Sequence, residues 1–173
     1  MYIIFNMFRE MRRKNQLLSN SQSISILEKC SSGVLAVSGD DDYPYAVPLS
    51  YVYYDNKIFF HVAKSGYKLD AIKNNNKVSF CVIEKDDIKL EEYTTYYRSV
   101  IVFGKAFIVE DDNQKREAIE KLALKYYPND TQLNRNTVIN REYNAFYIME
   151  IHIEYMTGKE AIELVNNRLN YNK

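Results

Sequence analysis

The segment Lys64-Ser65-Gly66-Tyr67-Lys68 brings two ammonium groups, a hydroxyl and a glycine together just before the apolar-periodic run Leu69-Asp70-Ala71-Ile72-Lys73. Ser65 suits the N-cap of a short amphipathic helix over that run. A helix start already carries partial positive charge, so a cation placed there is disfavoured by ~0.3–1 kcal/mol, and a bound anion resolves the conflict. Backbone N–H groups, a hydroxyl, a glycine that permits close approach and two ammonium groups suit a phosphate. Charge-assisted hydrogen bonds of ~1.5–3 kcal/mol each would hold a phosphate monoester firmly. The same spacing also fits two solvated lysines on an ordinary helix start, and the residues alone leave both readings open.

The residues leading into this segment strengthen the first reading. Two aromatic and β-branched runs, 45–54 and 57–63, are separated by Asp55-Asn56, a pair that tolerates the positive φ values of a two-residue hairpin turn. That turn sets Tyr54 opposite Lys57, Val52 opposite Phe59, Ser50 opposite His61 and Pro48 opposite Ala63. Cross-strand partners share a face, so Pro48, Ser50, His61 and Ala63 form a small, polar side. Val47, Leu49, Tyr51, Phe60 and Val62 form the other side, which reads as core. Pro48 lacks an N–H for a ladder and belongs at an edge or gap. A planar ring laid there would meet Ser50 and free backbone amides, with a phosphate tail reaching residues 64–68. His61 also reads as an ordinary hydrogen-bonded strand histidine.

Other chemistry has little support. The chain holds two histidines and contains no GxSxG, HExxH, Walker or GxGxxG pattern. His152 alternates with Ile151 and Ile153, which points it to solvent or an interface. Cys30 and Cys81 lack metal-ligand or CxxC spacing and read as reduced, buried thiols, and no metal site is expected. Glu84, Asp86, Asp87, Glu91 and Glu92 are interrupted by Lys85 and Lys89, the pattern of a solvated face. Twenty-three Lys and Arg balance twenty-three Asp and Glu, so no net field gathers nucleic acid or an anionic membrane. No apolar run approaches the ~18 residues of a membrane span. The apolar start Met1-Tyr-Ile-Ile-Phe-Asn6 is shorter than the ~7–15-residue core of a signal peptide, so a cytoplasmic protein is expected, with Met7 a second candidate start.

These residues need elements to position them. The 173 residues suit one domain, and sixteen Tyr and eight Phe favour pleated sheet. The pattern predicts a helix over 23–29 capped by Ser21 or Ser23, a strand over 33–37, a turn at 39–42 and a strand over 77–84. It continues with an acidic loop over 85–93, a long strand over 96–109 kinked near Gly104, a helix over 112–126 stopped by Pro128, an Asn-rich polar stretch and a last strand over 143–156. Six strands with few helices predict a mainly β antiparallel barrel with peripheral helices. The expected organisation is an N-terminal arm over 1–22, the barrel domain over 23–165 and a polar tail over 166–173.

Four motifs in this order carry a family resemblance: Tyr45-Ala-Val-Pro-Leu-Ser-Tyr51, Phe60-His-Val-Ala-Lys-Ser-Gly-Tyr-Lys-Leu-Asp70, Tyr97-Arg-Ser-Val-Ile-Val-Phe-Gly-Lys105 and Glu154-Tyr-Met-Thr-Gly-Lys159. Together they resemble the pyridoxamine 5'-phosphate oxidase-like family of FMN-binding split barrels, most closely its nitroimidazole-resistance branch. The resemblance implies a six-stranded antiparallel split barrel and a homodimer with two FMN sites at its interface. Carried over by position, Val47, Pro48, Leu49 and Ser50 line the isoalloxazine, and His61 and Ala63 lie along the ring and ribityl chain. Lys64, Ser65, Gly66 and Lys68 take the phosphate. Arg98 and Ser99 are further candidate contacts, with pairing to the acidic residues as an alternative for Arg98. In the nitroimidazole branch a histidine at the His61 position is associated with the substrate side of the flavin, making His61 the candidate catalytic residue. A basic set for pyridoxamine phosphate is not recognisable, so oxidation of that substrate is not expected. The expected activity passes electrons from a reduced nicotinamide cofactor to a small organic acceptor, nitroaromatic compounds among them. A rival reading is a non-enzymatic flavin- or haem-binding sensor on the same barrel, with His61 or His152 as haem ligand.

Overall fold

Side-chain alternation curls most of the chain into one sheet. A computed structural model describes residues 7–171, with side chains to 168, so the apolar start at 1–6 lies outside the described residues. The strands are β1 (Ser32–Ser38), β2 (Pro44–Ser50), β3 (Val52–Tyr54), β4 (Lys57–Ala63), β5 (Lys77–Lys89), β6 (Thr94–Ile108) and β7 (Phe146–Glu160). All pair antiparallel, in the order β2-β1-β5-β6-β7-β4-β3. Leu35, Phe60, Val62, Phe80, Val82, Val100, Val102, Met149 and Ile151 fill the inside of the curled sheet. The helices α1 (Asn20–Lys29), α2 (Tyr67–Asn74), α3 (Asp112–Tyr126), α4 (Gln132–Glu142) and α5 (Ile162–Tyr171) lie around it. This is the mainly β antiparallel sheet with peripheral helices that the patterning predicts, in the open, split-barrel form that the resemblance implies. Among the described residues no helix is long and apolar enough to cross a membrane.

The sheet has seven strands rather than six because the first arm of the hairpin breaks at Tyr51. The Asp55-Asn56 turn forms as expected, with φ of 50° and 55°, and it pairs Tyr54 with Lys57 and Val52 with Phe59. Beyond Val52 the expected register is wrong. Ser50 pairs with Ser32 and Pro48 with Val34, while His61 pairs with Ile148 and Ala63 with Phe146. At the break Tyr51 is fully buried, donates its hydroxyl to the Leu27 carbonyl at 2.9 Å and sets its ring edge-on to Phe80 at 5.0 Å. Burying this side chain at the seam sends β2 and β3 to opposite ends of the sheet. Pro48 accordingly lies on an edge strand, where a missing N–H costs no ladder bond.

Three polar segments also differ from expectation. Residues 85–89, expected in a loop, extend β5, because β6 offers a partner for each and Asp87 is bridged by Lys85 at 3.4 Å and Lys89 at 2.8 Å. The Asn-rich stretch contains α4, capped by Thr131, whose hydroxyl accepts from the Asn134 amide at 3.1 Å. Arg116 of α3 ties it down through Asn136 at 2.8 Å. Residues 166–171, expected in a polar tail, belong to α5. The first helix starts earlier than expected, at Asn20, with Ser19 and Gln22 forming a reciprocal capping box. The β6–β7 register shifts between Phe103 and Gly104, at the glycine where a kink is expected, with Glu154 of β7 as the extra residue.

Candidate functional site

β4 runs between the barrel interior and a helical roof, so its exposed positions become a floor. Phe60 and Val62 point inward, whereas His61 and Ala63 face out. Ser50, at the end of β2, joins them despite having a different ladder partner. Above these residues lies a cavity of about 580 Å³. Its walls are mostly apolar, with Ile119, Leu122 and Ala123 from α3, Ile139 from α4, and Phe146, and Tyr126 and Glu142 add polar groups. α3 is held over the sheet by Ala118 and Leu122, which pack with Val52, Phe59 and Ile148. Asp111 caps it by accepting from the Gln114 amide at 2.7 Å. The floor therefore offers one hydroxyl and one imidazole beneath an apolar slot, an arrangement suited to a flat, largely apolar ring.

The His61 ring stands edge-on to Phe146, 6.0 Å between centroids. Desolvation and, second, the nearby Lys68 ammonium hold its pKa below the ordinary histidine value of 6.5. His61 is thus kept neutral at pH 7, able to donate from one ring nitrogen and accept at the other. Val47 and Leu49 turn the opposite way and pack on the barrel core, and Pro48 is exposed on the outer side. The backbone of 47–50 therefore forms an edge whose polar groups are accessible.

Directly after β4 the chain turns at Gly66 with φ of 128°, a conformation that side-chain-bearing residues rarely adopt. A Cβ at Gly66 would have no atom within 4 Å, so the backbone borders open space. Gly66 occupies the N-cap of α2, and no side chain caps it. Ser65, expected as the cap, sits one residue too early, which leaves its hydroxyl and the Tyr67 and Lys68 amides for another partner, while the Leu69 amide donates to the Gly66 carbonyl at 3.0 Å. Lys64 and Lys68 flank this opening, with the Lys64 ammonium 5.3 Å from the Tyr147 ring. Tyr67 fixes the turn by accepting from the Asp40 amide at 2.7 Å and meeting the Tyr45 ring edge-on at 4.5 Å. The donor set fits a phosphate: an open backbone cradle, a hydroxyl and two ammonium groups, in the segment that follows Ala63 of the cavity floor.

Structure thus brings Ser50, His61, Ala63 and residues 64–68 together. Arg98 and Ser99 stand elsewhere, in β6, opposite Glu160 and Lys159. Arg98 donates to the buried Glu160 at 2.9 and 3.2 Å and to Glu84 at 3.4 Å, and it lines a separate cleft with Lys29 and Arg168. His152 is half exposed and bonds the Glu150 carboxylate at 2.6 Å, where Lys57 also donates at 2.9 Å. The α3 and α4 walls of the cavity had no counterpart among the expected site residues. On α3, Ala118, Ile119, Leu122 and Ala123 mark an apolar helical face without saying what it covers, and on α4 the adjacent Val138 and Ile139 give no helical period.

Residues 19–160 match the family model described as Pyridoxamine 5'-phosphate oxidase. No curated protein matches. Among solved structures, a protein from Bacteroides thetaiotaomicron described as a 5-nitroimidazole antibiotic resistance protein superposes with a TM-score of 0.71 at 19% identity, covering 83% of this chain and 86% of the other. A FAD-binding protein from Mesorhizobium loti gives a TM-score of 0.62 at 24% identity over 84% and 97% of the two chains. A FAD- and heme-binding protein from Mycobacterium smegmatis gives 0.68 at 17% identity over 86% and 74%. At these identities the likeness is one of fold.

Proposed function

The chain belongs to the pyridoxamine 5'-phosphate oxidase family, and from that membership we propose that it is a homodimeric FMN protein with oxidoreductase activity. The observation that carries this reading is the uncapped, open backbone turn at Gly66, flanked by Lys64 and Lys68, which directly follows Ala63 of the cavity floor in the chain. In this reading Lys64, Ser65, Gly66 and Lys68 hold the phosphate, His61 and Ala63 lie along the ring and ribityl chain, and the edge of Val47, Pro48, Leu49 and Ser50 meets the polar rim of the isoalloxazine. Arg98 and Ser99 would reach a flavin only across a dimer, since neither lines the cavity over His61 and Arg98 faces another cleft. A single phosphate cradle favours FMN over a dinucleotide flavin.

The flavin, once bound, supplies hydride and electron transfer. The chain's own residues bind and orient it. His61, held neutral, presents a hydrogen-bonding nitrogen beneath the apolar slot, where a small acceptor would be bound. The donor is a reduced nicotinamide cofactor and the acceptor a small organic molecule, nitroaromatic compounds being the first class to try. The reading places the protein in the cytoplasm.

The test is the absorbance spectrum of freshly purified protein, followed by heat release and identification of the chromophore. Flavin bands with FMN in the supernatant are expected, and Lys68→Glu should purify folded and colourless. A colourless wild-type protein that also refuses added FMN overturns the reading. Bound FMN that no nicotinamide cofactor reduces would leave a flavin-binding protein without the proposed activity.

A further inference from the structure

Resting on the flavin reading, we propose that Lys115 of α3 is a third cation of the phosphate site, so that the roof helix as well as the strand-to-helix turn recognises the phosphate of FMN. Lys115 donates to the Tyr143 carbonyl at 2.8 Å, and its ammonium lies 4.2 Å from the Tyr143 ring and 4.9 Å from the Phe146 ring. Phe146 pairs with Ala63 and stands beside His61. The Lys64 ammonium, one residue past Ala63, lies over the ring of Tyr147, the partner of Val62. Lys64 and Lys115 therefore flank the Ala63–Phe146 pair at the end of β4, Lys64 along the chain and Lys115 over the Phe146 ring.

Their charges are unbalanced there. Among the described residues none of Lys64, Lys68 and Lys115 has a carboxylate within 4.0 Å, whereas Lys57, Lys85, Lys89 and Lys105 are all ion-paired. Burial and then the charge of Lys64 push the Lys115 ammonium below the ordinary lysine range. Asp112 opposes this shift, but its carboxylate accepts from the Tyr143 hydroxyl at 3.0 Å. One backbone carbonyl satisfies one of three N–H donors on Lys115, leaving two for a ligand. Two like charges on either side of the Ala63–Phe146 pair, just before an open backbone turn, are stabilised by a dianion bound between them.

The test compares dissociation constants for FMN and riboflavin, read by flavin fluorescence, in wild type, Lys115→Gln and Lys115→Arg. Riboflavin has the same ring and ribityl chain without the phosphate. Glutamine can still donate to the Tyr143 carbonyl but carries no charge. Lys115→Gln should weaken FMN by about 10–100-fold and leave riboflavin unchanged, with Lys115→Arg recovering most of the loss. Equal weakening of both ligands makes Lys115 a packing residue, and unchanged FMN affinity removes it from the site. Either result overturns the inference while the flavin reading stands. Wild type that binds neither ligand overturns both. Should Lys115→Gln misfold by circular dichroism, Lys115→Met decides by the same comparison: FMN weakened with riboflavin unchanged supports the inference, and unchanged FMN affinity overturns it.

Discussion

The Lys68 ammonium, in the first turn of α2, acts on the His61 imidazole at the end of β4 and depresses its pKa, second only to desolvation of the ring. The residue assigned to the phosphate and the residue assigned to the ring are thus electrostatically linked across a single strand-to-helix junction. Anything that neutralises Lys68 reports at His61.

A pH experiment follows from that link. With its folded pKa below 6.5, His61 takes up a proton more readily in the unfolded chain, so its contribution to stability is present above about pH 6.5 and is lost as pH falls through the folded value. His61→Asn should flatten the melting-temperature profile between about pH 7 and pH 5, relative to wild type. Proton NMR should show one imidazole titrating below the ordinary range, moving up in Lys68→Met and in saturating phosphate. An imidazole that ignores both changes would place Lys68 too far from His61 to matter.

Glycine 66 and glycine 104 should fail for different reasons when given a side chain. At Gly66 the space is open and only the φ of 128° is unfavourable, so Gly66→Ala should cost about 1–2 kcal/mol of stability and leave a folded protein. At Gly104 a Cβ would collide with the His152 backbone carbonyl on the neighbouring strand, so Gly104→Ala should cost more and destroy the β6–β7 bulge. Urea melts rank the pair: equal losses would mean that the open space at Gly66 confers no tolerance, and no loss in Gly66→Ala would mean that the turn is not strained by a side chain.

These contrasts also mark how far the sequence could be read. The Asp55-Asn56 turn, the bend at Gly104 and α3 are encoded locally, in φ preference and helical period, and all were legible. The break at Tyr51 was not, because it is decided by a distant partner, the Leu27 carbonyl, and by closure of the sheet. His61, Ala63 and Ser50 still reach one cavity although the expected ladder is wrong, since alternation along each strand fixes which way a side chain faces regardless of its neighbour. Lys115 was invisible for the opposite reason. A lysine on an amphipathic helix carries no local signal, and only the tertiary fold sets it beside Phe146.

The Arg98–Glu160 pair separates a structural role from a flavin role. Glu160 is 1% exposed and accepts two N–H groups from Arg98, while the Arg168 guanidinium of α5 stands 3.1 Å from its other oxygen. Removing the charge in Glu160→Gln leaves two guanidinium groups facing each other, with an expected loss of about 3 kcal/mol and earlier proteolysis of α5. Arg98→Ala should lower stability and leave FMN affinity unchanged if Arg98 serves Glu160 alone. A selective loss of FMN affinity with normal melting would instead assign Arg98 to the cofactor of a partner subunit.

Tyr51 tests whether one hydrogen bond secures the seam of the barrel. Its ring fills core space against Phe80, and its hydroxyl meets the buried Leu27 carbonyl near the end of α1. Tyr51→Phe keeps the ring and leaves that carbonyl without its donor, which should cost about 1–2 kcal/mol. Tyr51→Ala also empties the ring's volume and should cost about 3–5 kcal/mol, enough to unfold a marginal domain. Because β2 carries Ser50 and β4 carries His61, loosening the seam should also widen the spacing of these two floor residues and weaken ring binding, even for riboflavin. Urea melts of Tyr51→Phe alongside riboflavin titration check both consequences. A variant as stable as wild type would mean that ring packing alone, without the Leu27 bond, sends β2 and β3 to opposite edges.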